Sequence, residues 1–191
     1  ACRTFKDVCM FMALPSRPRA FPPPFERKVE SPTRLVVHGP ADPDRRGVED
    51  FIARIYAQRY GARLLRFAPV LVSLRDDDGI VAAAGYRAAT HAPLFLERYL
   101  ATPVESALAS HCGKIPARAG IVEVGHLAAA RAGEGRRLVL LLGPHLADQG
   151  FEWVVSTLTE ELRHLFARLG VAPLDLGQAD PAALGEDAVL W

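Results

Sequence analysis

Apolar residues recur at spacings of three and four through Val48, Phe51, Ile52, Ile55, Tyr56 and Tyr60, and Gly61 follows directly. That period keeps one helix face apolar, and a glycine just past the end accepts the left-handed backbone that closes a helix. The spacing predicts an amphipathic helix over residues 48–60. Residues 64–74 and 80–88 then change period and read as strands. Between them lies Arg75-Asp-Asp-Asp-Gly79, where Asp78-Gly79 suits a tight turn, so an antiparallel hairpin is expected. Residues 94–100 and 103–112 read as short helical pieces, the second with Pro103 in its first turn and Gly113 just past its end. Further on, residues 121–129 read as a strand, 137–148 as a helix and 151–157 as a strand. Residues 160–169 read as a helix ended by Gly170, and 171–176 as a last strand. This order predicts an α+β fold of the α/β three-layer type, built on a mixed sheet.

The N-terminal segment breaks the pattern. Pro15, Pro18, Pro22, Pro23, Pro24 and Pro32 deny it helix and central strand, so residues 1–33 are expected to form a disordered, polyproline-like tail, with the domain spanning 34–191. Residues 8–14 faintly resemble the apolar part of a secretion signal. They are short for one, follow Asp7 and lack a small-residue cleavage site. A cytoplasmic location is expected, with secretion as the alternative.

Composition narrows the function. A chain of 191 residues, half of them apolar, can bury a full core. A formal net charge of +1 without a dense basic block gives no reason to expect nucleic acid as ligand. The three cysteines imply no disulfide framework, and no apolar run reaches the length of a membrane-spanning helix. No His/Glu spacing suggests a metal site, and no Gly-x-Ser-x-Gly elbow suggests a hydrolase.

The densest candidate chemistry is the strand 121–129 followed by Arg131-Ala-Gly-Glu-Gly-Arg-Arg137. Strand alternation puts Glu123 on one face with Ile121, Gly125 and Leu127, and His126 on the other with Val122 and Val124. A carboxylate among apolar neighbours has its pKa raised and suits a general base. The structural alternative is a carboxylate paired with a buried arginine such as Arg87. Gly133 and Gly135 let backbone amides approach a phosphate, and Arg131, Arg136 and Arg137 can add charge; the alternative is a solvated turn. Cys112 precedes a helix C-cap, where the dipole raises a thiol pKa, and is read as structural. Ser156 and Thr157 are candidates to hydrogen-bond a substrate, and Thr159 to cap the helix that starts at Glu160.

Several separated motifs point one way. Tyr60-Gly-Ala62, Phe67-Ala-Pro69, Leu94-Phe-Leu-Glu-Arg-Tyr-Leu100, Pro103-Val-Glu105, Ile121-Val-Glu-Val-Gly125 and Gly150-Phe-Glu-Trp-Val-Val155, with the tail residues 174–181, resemble the bacterial thermostable hemolysin family. His126 stands where that family usually carries Asn. The family is distantly similar to acyl-homoserine-lactone synthases and, through them, to GNAT N-acyltransferases. The resemblance implies a GNAT-like acyl-CoA N-acyltransferase fold with a mixed, mostly antiparallel sheet flanked by helices. It places Glu123 on the Glu of a Glu-x-Ser-Arg motif and Arg87 on an Arg ending a hairpin strand, which makes them the catalytic pair; Gly125-His126 replaces Ser-Arg. It assigns Arg131, Gly133, Gly135, Arg136 and Arg137 to a turn for the pyrophosphate of coenzyme A, one residue shorter than usual between Arg and the first Gly. The implied cosubstrate is acyl-CoA or acyl-carrier protein, with no covalently bound cofactor, and the implied acceptor is a small-molecule amine. The alternatives are a membrane-active cytolysin without enzymatic activity and a catalytically inactive acyl/CoA-binding module.

Overall fold

The structure is a computed structural model that describes the backbone of residues 7–13 and residues 32–171, 173–180 and 182–185 in full. Strand β1 (Asp7–Ala13) falls inside the segment expected as a tail. Its run Val8-Cys-Met-Phe-Met-Ala13 precedes the first proline, Pro15, so every ladder donor across it is intact. The rest of the expected tail up to residue 31 lies outside the described residues. Strand β2 (Arg34–His38) follows. Helix α1 (Arg45–Tyr60) buries Val48, Phe51, Ile52 and Ile55, and Gly61 closes it at φ 68°.

Strand β3 (Val70–Asp76) starts later than the expected residue 64 because Pro69 lacks the amide a ladder needs. Residues 62–69 run instead as irregular chain, whose carbonyls at Ala68 and Pro69 accept from the Arg45 guanidinium at 2.8 and 2.9 Å. The hairpin loop is Asp77-Asp78, with the Asp78 amide donating to Asp76 Oδ1 at 3.0 Å. Gly79, at φ 125°, already opens strand β4 (Gly79–Ala88).

A 3-10 helix (Phe95–Tyr99) and helix α2 (Val104–Cys112), closed by Gly113 at φ 72°, lead to strand β5 (Ile121–Ala129). Helix α3 (Glu134–Asp148) starts three residues before expectation. Strand β6 (Trp153–Leu158) precedes helix α4 (Glu160–Arg168), whose N-cap Thr159 accepts from the Leu162 amide at 3.4 Å, as expected. Strand β7 (Leu174–Ala179) lies three residues further on than expected.

Hydrogen-bonded strands follow the order β2-β3-β4-β5-β6-β1-β7. Pairing is antiparallel for β2 with β3 and for β1 with both β6 and β7, and parallel for β5 with β6. The Ala89 amide donates to the Ile121 carbonyl and the Ala130 amide to the Val81 carbonyl, which sets β4 antiparallel to β5. The sheet is thus mixed and mostly antiparallel.

The chain forms two compact units. One holds residues 86–125, the chain from Gly150 onward and β1. Its core gathers Leu94, Leu96, Val104, Leu108, Ile121 and Val155, with Trp153 packed against them. The other holds the chain from β2 to Gly85 and residues 126–149. Its core sets the buried face of α1 on Leu71, Ala83 and Ala128. In this unit buried His38 links Ser73 Oγ (2.8 Å from Nε2) to Asp42 Oδ2 (3.3 Å from Nδ1). The order matches a nucleophile, base and orienter, yet Ser73 is 0% exposed and His38 1%, so no substrate reaches the hydroxyl. The His38–Ser73 hydrogen bond ties β2 to β3.

Candidate active site

Glu123 sits in β5 opposite Val155 of β6, on the face where Ile121 enters the core. Its residue is 7% exposed. Oε1 accepts from the Leu96 amide at 2.8 Å and Oε2 from the Phe95 amide at 2.9 Å, so the carboxylate holds the opening turn of the 3-10 helix. Arg87, at the end of β4, brings its Nε to 3.6 Å from Oε2. The two residues expected as a pair therefore meet. Burial pushes the Glu123 carboxyl above the usual carboxylate range; the two amides and the Arg87 charge pull it back only in part, and the Glu97 charge adds to the rise.

Around that turn lies a network no spacing in the sequence signals. Glu97 accepts from the amides of Leu94 (2.7 Å) and Val104 (3.0 Å) and takes a bidentate fork from Arg118 at 2.8 Å on each oxygen. Arg118 also donates to Glu105 at 2.5 Å and to the Ala89 carbonyl at 2.8 Å. The Arg118 bonds, outweighing burial, hold the Glu97 carboxyl down at about 2. These bonds fix the chain that presents the Phe95 and Leu96 amides to Glu123.

The phosphate-turn residues lie in the other unit. Gly133 is the N-cap of α3 at φ 90°, with no side-chain cap on the helix start. Gly135 is inside the first turn, where an added Cβ would meet Ala129 Cβ at 3.6 Å, an ordinary contact. Arg131 is 56% exposed and gives its Nη2 to Asp76 Oδ2 at 2.6 Å. Burial alone would raise the Asp76 carboxyl, but Arg131 and the Asp78 and Gly79 amides keep it below the usual range. Arg137 donates to Thr33 Oγ1 at 2.8 Å and lies 3.4 Å from Glu134, while Arg136 stands exposed on the same turn. The earlier helix start moves Glu134 out of the turn and into the first helical turn, where its charge suits the dipole.

His126 corrects the parity reading. It adopts φ 55°, a left-handed backbone that costs a non-glycine residue about 1–3 kcal/mol. The strict alternation that set it beside Val122 and Val124 therefore stops there. Its ring lies 5.6 Å from that of Phe67, and Gly85 faces it: a Cβ on Gly85 would fall 3.2 Å from His126 Nδ1 and 2.8 Å from Ala68 Cβ. Cys112 donates its thiol to the carbonyls of Leu108 and Lys114, consistent with a structural role. Ser156 donates to the Val124 carbonyl at 2.7 Å. Among the described residues no His/Cys/Asp/Glu group is arranged to hold a metal ion, and no helix is long and apolar enough to cross a membrane.

Residues 38–191 match the sequence model of a family described as thermostable hemolysin. No curated protein matches the chain. Among solved structures, the acyl-homoserine-lactone synthase LasI superposes with a TM-score of 0.54 at 13% identity, over 82% of this chain and 96% of the synthase. A GCN5-related N-acetyltransferase from Kribbella flavida gives a TM-score of 0.47 at 15% identity, over 90% of this chain and 56% of that one. The likeness to the synthase shows the fold, and the expected GNAT-like architecture stands.

Proposed function

Because the chain belongs to the thermostable hemolysin family and carries the fold of an acyl-homoserine-lactone synthase, we propose that it is an N-acyltransferase-like enzyme. It moves an acyl group from an acyl-CoA or acyl-carrier-protein donor to a small-molecule amine. The observation that carries this reading is the buried Glu123 carboxylate, whose raised pKa brings it nearer to neutral pH and whose charge is balanced by Arg87. The amine nitrogen attacks the thioester carbon, the C–N bond forms and the C–S bond breaks. Glu123 takes the proton the nitrogen loses, and the departing thiolate is reprotonated from Glu123 or water. The phosphates of the donor fit the α3 N-terminus, where Gly133 offers no side chain and the first-turn amides lack a side-chain cap.

A titration of the full chain with CoA and octanoyl-CoA, read by thermal shift, tests the binding half. Saturable stabilisation is expected. Gly135→Asp places an anion where the phosphate would sit while its Cβ has room, so it should keep the unliganded melting temperature and weaken binding at least about tenfold. No stabilisation by either ligand, or full binding by Gly135→Asp, contradicts the reading. The bonds from both Glu123 oxygens to the Phe95 and Leu96 amides favour a second reading, an inactive acyl/CoA-binding module in which the carboxylate only braces the 3-10 helix. Ligand binding without acyl transfer to any amine would establish it.

A further inference from the structure

The segment between α1 and β3 has no regular backbone, yet it is pinned on both sides of a short ridge. Ala62 and Ala68 are buried, and Leu64 and Phe67 pack against the core beneath α1. The Arg45 guanidinium clasps the Ala68 and Pro69 carbonyls. Leu64 and Phe67 thus take the core side of the segment, which leaves Arg63, Leu65 and Arg66 exposed. Leu65 is 60% exposed. A lone exposed leucine is ordinary on a protein surface. This one stands between two cations on a stretch of chain that its packed neighbours hold in place.

Charge along the chain isolates the same place. The net charge is only +1, but residues 51–74 contain Arg54, Arg59, Arg63 and Arg66 and no Asp or Glu. Two of these have work inside the protein. Arg54 lies over the Phe51 ring, 5.5 Å from its centroid, and Arg59 sits in the last turn of α1, where a cation suits the helix C-terminus. Arg63 and Arg66 make no ion pair or side-chain hydrogen bond among the described residues.

We propose that this ridge docks the protein on an anionic membrane surface. Leu65 enters the boundary between headgroups and acyl chains, and Arg63 and Arg66 pair with lipid phosphates. A guanidinium forks onto two phosphate oxygens, and basic residues are drawn to a negative leaflet while the leucine between them leaves water. An acidic protein would answer the charge as well, but a specific protein interface needs about 20–30 residues a side. The ridge presents Arg63, Leu65 and Arg66 within a single stretch of chain. A fluid bilayer closes around so small a projection without a preformed counter-surface. Attachment through one leucine and two or three arginines is weak and reversible. It does not depend on the acyl-transfer reading.

The test sediments the full chain with phosphatidylcholine vesicles containing about 30% phosphatidylglycerol, and with phosphatidylcholine vesicles alone. Binding to the anionic vesicles should be at least about tenfold stronger, and should weaken as NaCl rises from about 0.1 M to about 0.5 M. Arg63→Gln and Arg66→Gln should each weaken it about fivefold, and Leu65→Ser by a similar factor. All three side chains are exposed, so these variants should keep the wild-type melting temperature, and weaker binding then reports the surface. Leu65→Trp adds a readout that needs no loss of binding: it should bind at least as well as wild type, and its fluorescence should move to the blue on anionic vesicles. No binding to anionic vesicles, equal binding to neutral ones, or full binding by the Arg63→Gln/Arg66→Gln double variant overturns the proposal. Capture of an acidic acyl-carrier protein that the double variant loses, with neither vesicle bound, assigns the ridge to a protein partner and overturns it too.

Discussion

At the scale of single residues, two glutamates, Glu123 and Glu97, are tuned in opposite directions. Glu123 is raised, because burial outweighs two amides and Arg87. In acyl transfer the ionised form is the working base, so kcat/KM should rise with pH along an acid limb that lies above the ordinary carboxylate value. Arg87→Leu removes the charge that favours the ionised form, so that limb should move to higher pH; a limb that stays put would show that Arg87 does not act on the carboxylate. Glu97 is held at about 2 against an ordinary 4.5. A depressed carboxylate stabilises the fold above its unfolded pKa and loses that contribution as pH falls, here between about 4.5 and about 2. Glu97→Gln should cost on the order of 2–3 kcal/mol at neutral pH and much less near pH 2, read from urea unfolding across pH. Glu123 was legible because a lone acidic residue in an apolar strand is conspicuous. Glu97 was not, since its fork to Arg118 joins residues 21 apart in sequence.

At the scale of elements, periodicity found α1 and turn chemistry found the hairpin, while the errors fell at boundaries. Gly133-Glu-Gly135 reads as a loop by propensity, yet Gly133 takes a left-handed N-cap and Gly135 is absorbed into the first turn of α3. Pro69 delayed β3, and prolines from Pro15 onward masked the strand-forming run of β1 just before them. His126 escaped parity because an αL backbone inside a strand has no sequence signal in a non-glycine residue. Close packing at this bend makes Gly85 irreplaceable. A Cβ there falls 2.8 Å from Ala68 Cβ and 3.0 Å from Leu71 Cδ2. Gly85→Ala should therefore destabilise the protein by about 1–3 kcal/mol in urea denaturation. A neutral substitution would mean that the strand relaxes freely.

At the scale of the whole molecule, the fold class was accessible because many separated motifs keep the order of one family, which matches residues 38–191. The insertion of β1 between β6 and β7 was not, since strand order is decided by pairings far apart in the chain. Function at this scale depends on whether Glu123 moves a proton or only braces the Phe95–Tyr99 helix. The most direct measurement incubates the full chain with octanoyl-CoA and a panel of primary alkylamines and α-amino esters and quantifies the N-octanoyl amide by mass spectrometry, for wild type and Glu123→Gln at matched folded fractions. Acyl transfer through Glu123 predicts amide formation that falls at least about a hundredfold in the variant. No amide from wild type, or equal rates in the two proteins, would contradict it.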